Sequence, residues 1–245
     1  VIFILSLVPF LGTSEDIIDG MYKIITSRDI LITDYIALAG YAAAFFNAGI
    51  MMLISMILIA VSKLPYTGLT LAAVFISAGF GLWGKNPINM LPIVAGTFLY
   101  AKVRRVKFMK YTFTSIFAGC LSPFVTEFAY ILPFSPEVNI VCALLIGVGL
   151  GFAIAPLATH TASVHMGYSL FNVGFAGGAL GFLIYSFVKS VGVTTETVEF
   201  TITNGDMVIR ISSNNMNATE TKDGDITTGY IAKKLNRHFV GIEKE

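Results

Sequence analysis

No charged residue occurs between Asp34 and Lys63. The 28 residues 35–62, YIALAGYAAAFFNAGIMMLISMILIAVS, form one apolar run. As a helix this run would reach about 42 Å, beyond the roughly 30 Å hydrocarbon core of a bilayer. It reads as a membrane helix that tilts, breaks or protrudes. Further apolar runs occupy 68–83, 88–101, 111–132, 138–157 and 167–188. Only 13% of residues are charged and the mean hydropathy is +0.77, whereas a soluble domain carries about a quarter charged residues. The pattern predicts an all-α polytopic membrane protein, a helix bundle with broken, short or re-entrant helices, multi-pass in the cell membrane. Its first partner is the lipid bilayer. A net charge of +1 gives no reason to invoke nucleic acid.

The chain opens on VIFILSLVPFLG. This stretch is too short to span and has no cationic flank, so it reads as a truncated first helix and not as a signal peptide. Residues 13–34 are polar, with Ile17, Ile18, Met21, Ile24 and Ile25 at helical spacing, the pattern of an interfacial connector. Lys102, Arg104, Arg105, Lys107 and Lys110 cluster in one loop. The positive-inside rule places loop 102–110 in the cytoplasm. The loop at Lys63 then shares that side, while 13–34, 133–137 and the C-terminal tail lie outside.

Composition changes near residue 191. Residues 1–191 hold 10 Lys/Arg and 7 Asp/Glu, and residues 192–245 hold 6 and 8. We therefore divide the chain into a transmembrane domain, 1–191, and a polar segment, 192–245. In VEFTITNGDMVIRIS, Asn204-Gly205 suits a two-residue type I′ turn. That register pairs Val198 with Ile211, Phe200 with Ile209, Ile202 with Met207, and Glu199 with Arg210. Ile231, Leu235 and Phe239 line a helical stripe within 228–240 that could cover the hairpin. The expectation is a small soluble ββ-α appendage, with 212–226 as a polar loop.

The stretch GLWGKNPINMLPI, residues 81–93, sets a cation between two runs that are each short of a full span. Asn86 is a good N-cap and Pro87 suits a first helical turn. A helix starting there would turn free N–H groups and a positive dipole end toward the gap, beside Lys85. Paired short segments broken by Gly and Pro are a pointer to a transporter site; a tight turn with Lys85 snorkelling into headgroups is the plainer geometry. Glu127 is ionisable within an apolar run, and such a residue expects a partner; Lys85 is the natural one. Ser115, Gly119, Pro123 and Glu127 fall at steps of four, and Pro123 cannot bond the Gly119 carbonyl, which leaves that oxygen free to bind something. FNAG at 46–49 and FNVG at 171–174 recur, each after a Gly-Tyr pair, making Asn47 and Asn172 pathway candidates with Lys85, Asn86 and Glu127. The expectation is that Lys85, Glu127, Asn47 and Asn172 line one polar cavity. Gly147/Gly151, Gly174/Gly178 and Gly177/Gly181 are spaced for helix packing.

Cys120 and Cys142 lie inside apolar runs and read as buried free thiols. His160 and His165 are poorly spaced for a metal. No HExxH, GxSxG or P-loop occurs, so neither a metal nor a cofactor is expected, and the chain is not read as an enzyme.

The run GFGLWGKNPINMLPIVAGTFLYAK (79–102), with HMGYSLFNVGFAGG (165–178), resembles a family of prokaryotic multi-pass membrane proteins described as a domain of unknown function, over roughly 13–190. The resemblance implies tandem halves, each with an FGKN-like stretch, of which this chain holds one. It implies as partners a missing second half or a second copy of the chain. Three functions fit these readings: a transporter or channel for a small polar or anionic solute, a membrane-embedded enzyme using Glu127 with His160 or His165, and a scaffold whose polar residues glue helices together.

Overall fold

A computed structural model describes residues 2–29, 33–169 and 171–190, together with the backbone of strands at 199–204, 207–212, 218–221 and 225–226. Residues 1–193 and 194–245 form two compact units.

In the first unit the described elements are helices: α1 (Ile2–Leu11), α2 (Ser14–Thr26), α3 (Tyr35–Val61), α4 (Gly68–Leu82), α5 (Pro87–Val103), α6 (Thr112–Phe117), α7 (Ser122–Ile131), α8 (Pro136–Val164) and α9 (Asn172–Ser190), with short 3₁₀ turns at Phe108–Tyr111 and Ala118–Leu121. Among the described residues four stretches are long and apolar enough to cross a membrane: Tyr35–Val61, Phe108–Ile131, Pro136–Val164 and Asn172–Ser190. The chain therefore has the character of an integral membrane protein. Its outward side chains agree, since Leu53, Ile57, Phe75, Phe98, Leu145 and Phe182 are exposed, as a bilayer-facing surface requires.

Two of the apolar runs are not simple rods. α3 changes direction at Gly40, whose φ of 80° is costly for any residue with a Cβ. The run 111–132, expected as one span, is interrupted at Ala118–Leu121. Pro123 has no N–H, so the Gly119 carbonyl cannot close an α-helical bond. It accepts from the Ser122 N–H instead, a correction to the expectation of a free oxygen.

Small residues bring α5 and α8 together. A Cβ at Gly96 would lie 2.0 Å from the Val148 carbonyl oxygen, and one at Gly151 would lie 2.0 Å from that of Ile93. Gly147 abuts Pro92 and Val125, Gly177 abuts Cys120, and Gly181 abuts Phe124. The pair Gly174/Gly178 departs from the packing expectation. Gly174 is crowded by Phe171 of its own segment, and Gly178 faces open space. The core on this side joins Ile93, Leu121, Val125, Leu150, Ile154 and Ala176; a second cluster joins α3, α4 and α6 through Met52, Ile59, Val74 and Ile116.

The second unit holds strands β1 (Glu199–Asn204), β2 (Met207–Ser212), β3 (Ala218–Thr221) and β4 (Asp225–Ile226) in one antiparallel sheet of order β1-β2-β3-β4. This corrects the ββ-α expectation twice. Asn204 pairs with Met207, Ile202 with Ile209 and Phe200 with Ile211, so the register closes one residue later than expected. The shift moves each partner by two positions, which preserves the alternation of faces. Glu199 now lies opposite Ser212, and Arg210 opposite Thr201. The stretch 212–226, expected as a polar loop, contains β3 and β4. The covering helix expected at 228–240 lies outside the described residues.

Candidate functional site

The loop between α4 and α5 is buried, not displayed at a surface. Lys85 and Asn86 are each 1% exposed. α4 ends at Leu82, and Gly84 turns the chain with φ 85°. A Cβ at position 84 would lie 3.1 Å from Pro123 Cγ. The loop is thus held between α4 and the start of α7.

The Lys85 amino group sits beside the interruption that precedes α7. Its Nζ donates to Ser77 Oγ at 3.2 Å and to the Ile116 carbonyl at 3.3 Å, and it lies 5.7 Å from the centre of the Phe80 ring. Gly119 makes room for it, since a Cβ there would fall 2.3 Å from Nζ. All these partners are neutral. The Lys85 backbone carbonyl accepts from Asn47 Nδ2 at 2.8 Å, and the same amide donates to Gly81 O at 2.6 Å. Two carbonyl neighbours fix the orientation of the Asn47 amide. Its Oδ1 is buried without a partner.

Asn86 turns the other way and caps α5. Its Oδ1 accepts from the Ile88 and Asn89 N–H groups, each at 3.0 Å, while its own N–H donates to Asn89 Oδ1 at 2.9 Å. The two amide groups left over point at one carboxylate. Asp29 Oδ2 accepts from Tyr35 OH at 3.0 Å, from Asn89 Nδ2 at 3.2 Å and from Asn86 Nδ2 at 3.5 Å. Asn89 Nδ2 also reaches Gly84 O at 2.9 Å and Thr126 Oγ1 at 3.1 Å. Asp29 is 0% exposed and its Oδ1 has no partner. Burial pushes the Asp29 carboxyl up to about 7; hydrogen bonds from Tyr35, Thr126 and Asn89 oppose that rise, and the Glu127 charge adds to it.

Glu127 does not meet Lys85. The Arg28 guanidinium holds it in a bidentate pair, Nε to Oε2 at 2.9 Å and Nη2 to Oε1 at 2.7 Å. This corrects the expected pairing, and the reason is reach. Lys85 extends toward α4 and the Ile116 carbonyl, whereas Glu127 lies two turns past the interruption, beside the linker that carries Arg28. Asn172 is elsewhere too. Its Oδ1 accepts from Thr161 Oγ1 at 2.9 Å and lies 2.8 Å from His165 Nε2, and its Nδ2 bonds the Ala158 carbonyl. The four side chains expected in one cavity therefore divide into three neighbourhoods: Lys85 with Asn47, Glu127 with Arg28, and Asn172 with His165. His160 is exposed on α8. Among the described residues no three His, Cys, Asp or Glu side chains gather as a metal site.

Sequence reasoning missed Arg28, Asp29, Tyr35, Asn89 and Thr126. Arg28 and Asp29 read as part of an interfacial connector. The spacing of Asn86 and Asn89, three apart at a helix start, was a signal for a reciprocal cap. Beside the loop lies a cavity of about 510 Å³ lined by Ile76, Gly79, Phe80, Trp83, Gly119, Cys120 and Pro123. It is apolar, and shares Phe80 and Gly119 with the surroundings of Lys85.

No curated protein and no solved structure matches the chain. Residues 13–190, which include the whole GKNP loop and every side chain that surrounds it, match the family described as Protein of unknown function (DUF1576), and the chain belongs to that family.

Proposed function

We propose that this protein is a multi-pass transporter or channel for a small polar or anionic solute, with the solute passing beside the GKNP loop. The observation that carries the reading is the Lys85 amino group, buried at 1% exposure among neutral partners. A charge at membrane depth without a counter-charge costs at least about 2.5–3.5 kcal/mol. An anionic or carbonyl-bearing solute would offset that cost. Three buried oxygens without partners, Asp29 Oδ1, Asn47 Oδ1 and Ser122 Oγ, belong to residues around the same loop, and such atoms call for water or a ligand.

The lengths of α4 and α5 support a re-entrant reading. With 15 and 17 residues they reach about 22 and 26 Å, short of the roughly 30 Å core. In this reading loop 102–110 faces the cytoplasm, α4 and α5 rise from that side, and their junction meets Asp29 and Tyr35 near the opposite face. A second half of the duplicated pattern, or a second copy, would complete the pathway. The scaffold reading draws on interhelical hydroxyl pairs, Ser55 with Ser77 at 2.7 Å and Thr97 with Ser115 at 2.8 Å. The enzyme reading has less to draw on, because Glu127 is engaged by Arg28 and His165 by Asn172.

Flux decides between transport and scaffold. In proteoliposomes of the full-length protein, a panel of small anions and neutral polar solutes is expected to include one that enters. Lys85→Met is expected to lower its flux by at least tenfold without loss of helicity. Equal flux through wild type and Lys85→Met would overturn the proposed role of Lys85, and no flux of any solute in the panel would favour the scaffold.

A further inference from the structure

We infer that Asp29 is a proton-binding site, and that its occupancy sets the grip on the first turn of α5. Its use in transport rests on the reading above; the proton site itself does not. Asp29 is fully buried, yet the groups that bond it are neutral: Tyr35 from α3, Asn86 and Asn89 from the start of α5, and Thr126 from α7. Tyr35, Asn86 and Asn89 act on Oδ2. Oδ1 is left bare, and that oxygen is where a proton can be added without displacing a donor. The ionisable groups around it are Tyr35 on α3, Glu127 and Tyr130 on α7, and Arg28 beside it in the chain. Glu127 is a like charge, partly offset by its pair with Arg28.

The chemistry is one proton. Water delivers H⁺ to Oδ1, and the carboxylate becomes a neutral carboxylic acid. Oδ2 is then an uncharged acceptor, and hydrogen bonds to it lose the charge assistance that roughly doubles their strength. Asn86 and Asn89 are the reciprocal cap of α5, and Asn89 also holds the Gly84 carbonyl. Protonation therefore loosens the cap and the GKNP turn, and deprotonation tightens them. The neighbouring Arg28 and Glu127 side chains are 23% and 10% exposed. The rise of the Asp29 carboxyl to about 7 puts the exchange within the range a cell can use.

The experiment is a pH titration of the full chain in detergent, from about pH 5 to about pH 9, a span that brackets the carboxyl. Infrared difference spectra read the C=O stretch of a protonated carboxyl, which histidines do not contribute. Fluorescence of Trp83, the single tryptophan of the chain, reads the GKNP turn. The expected result is a carboxyl band that disappears with a midpoint near 7, a parallel change in Trp83 emission, and loss of both in Asp29→Asn. Tyr35→Phe removes one donor from Oδ2, so it is expected to move the midpoint upward; this second variant serves if Asp29→Asn does not fold. A band that persists in Asp29→Asn, a midpoint unmoved by Tyr35→Phe, or no titrating band at all would overturn the proton site. An Asp29 band without a Trp83 response would overturn its coupling to the turn. None of these readings requires a solute, so they stand or fall separately from the flux measurement.

Discussion

The α5–α8 crossing and the α4–α5 junction bury backbone by opposite means. At the crossing, Gly96 and Gly151 remove side chains altogether, and the helices meet backbone to backbone. At the junction, Asn47, Asn86 and Asn89 supply hydrogen bonds to a turn that cannot be helical. Lipid gives no hydrophobic force between helices, so close packing and hydrogen bonds are the two resources a membrane bundle has. The first is insensitive to protons and intolerant of any added atom. The second tolerates isosteric change but responds to ionisation.

Gly151→Leu should expose the intolerance most sharply. Its Cβ would fall 2.0 Å from the Ile93 carbonyl oxygen, where only separation of the helices gives relief. We expect a loss of about 4 kcal/mol or more, or failure to fold, read by unfolding in mixed micelles. A stability change below about 1 kcal/mol would mean that the helices do not touch there.

The junction should show its sensitivity to charge next. The Asp29 carboxyl is raised on folding, from 3.8 to about 7. The folded state therefore holds its proton more tightly, and stability is full below about pH 4. It declines as pH rises to about 7 and is level above that, a total loss of about 4 kcal/mol. Asp29→Asn should abolish this slope and be the more stable protein at alkaline pH. Parallel slopes in the two proteins would assign the pH dependence to other groups.

Glu127→Gln leaves shape intact but removes the charge that Arg28 engages at 2.7 Å. The pair is partly exposed, which screens it, so the expected loss is about 1–2 kcal/mol. High salt should shrink the difference between the variant and wild type, and a salt-independent difference would argue for packing instead. Gly178→Ala is the smallest effect and the control. A Cβ there meets nothing within 4 Å, so we expect a change within about 0.5 kcal/mol; a larger loss would place a helix against that face.

Much of the fold was legible because lipid restricts the choices. The apolar runs 35–62, 68–83 and 88–101 anticipate α3, α4 and α5 within two residues, and Asn86-Pro87 marks where α5 begins. Pro123 announced a disturbance in the run 111–132, but the rearranged bonding that absorbs it, a 3₁₀ turn, is a local choice that the letters do not fix. The site was less legible. Lys85 and Glu127 are ionisable residues in apolar surroundings and stand out singly. Their partners do not, because pairing depends on which helix ends converge. Arg28 and Asp29 lie in a stretch whose polarity suits water, and only the folded chain shows Asp29 enclosed by Tyr35, Asn86 and Asn89. In the tail, Asn204-Gly205 and Gly205-Asp206 are both acceptable turn pairs, and alternation alone allows either register.

The Arg28–Glu127 pair joins residues 99 apart in sequence, and Asp29 waits for Asn86 and Asn89, 57 and 60 residues on. A ribosome adds roughly 5–20 residues each second, so Arg28 is made on the order of 5–20 s before its carboxylate. During that interval the linker meets its partners in order: Tyr35 with α3, then Asn86 and Asn89 with α5, and Glu127 last. The enclosure of Asp29 is thus a late event of biogenesis, closed only when α7 arrives. A chain released after α5 would hold the amides of the α5 cap but not Thr126 or Glu127.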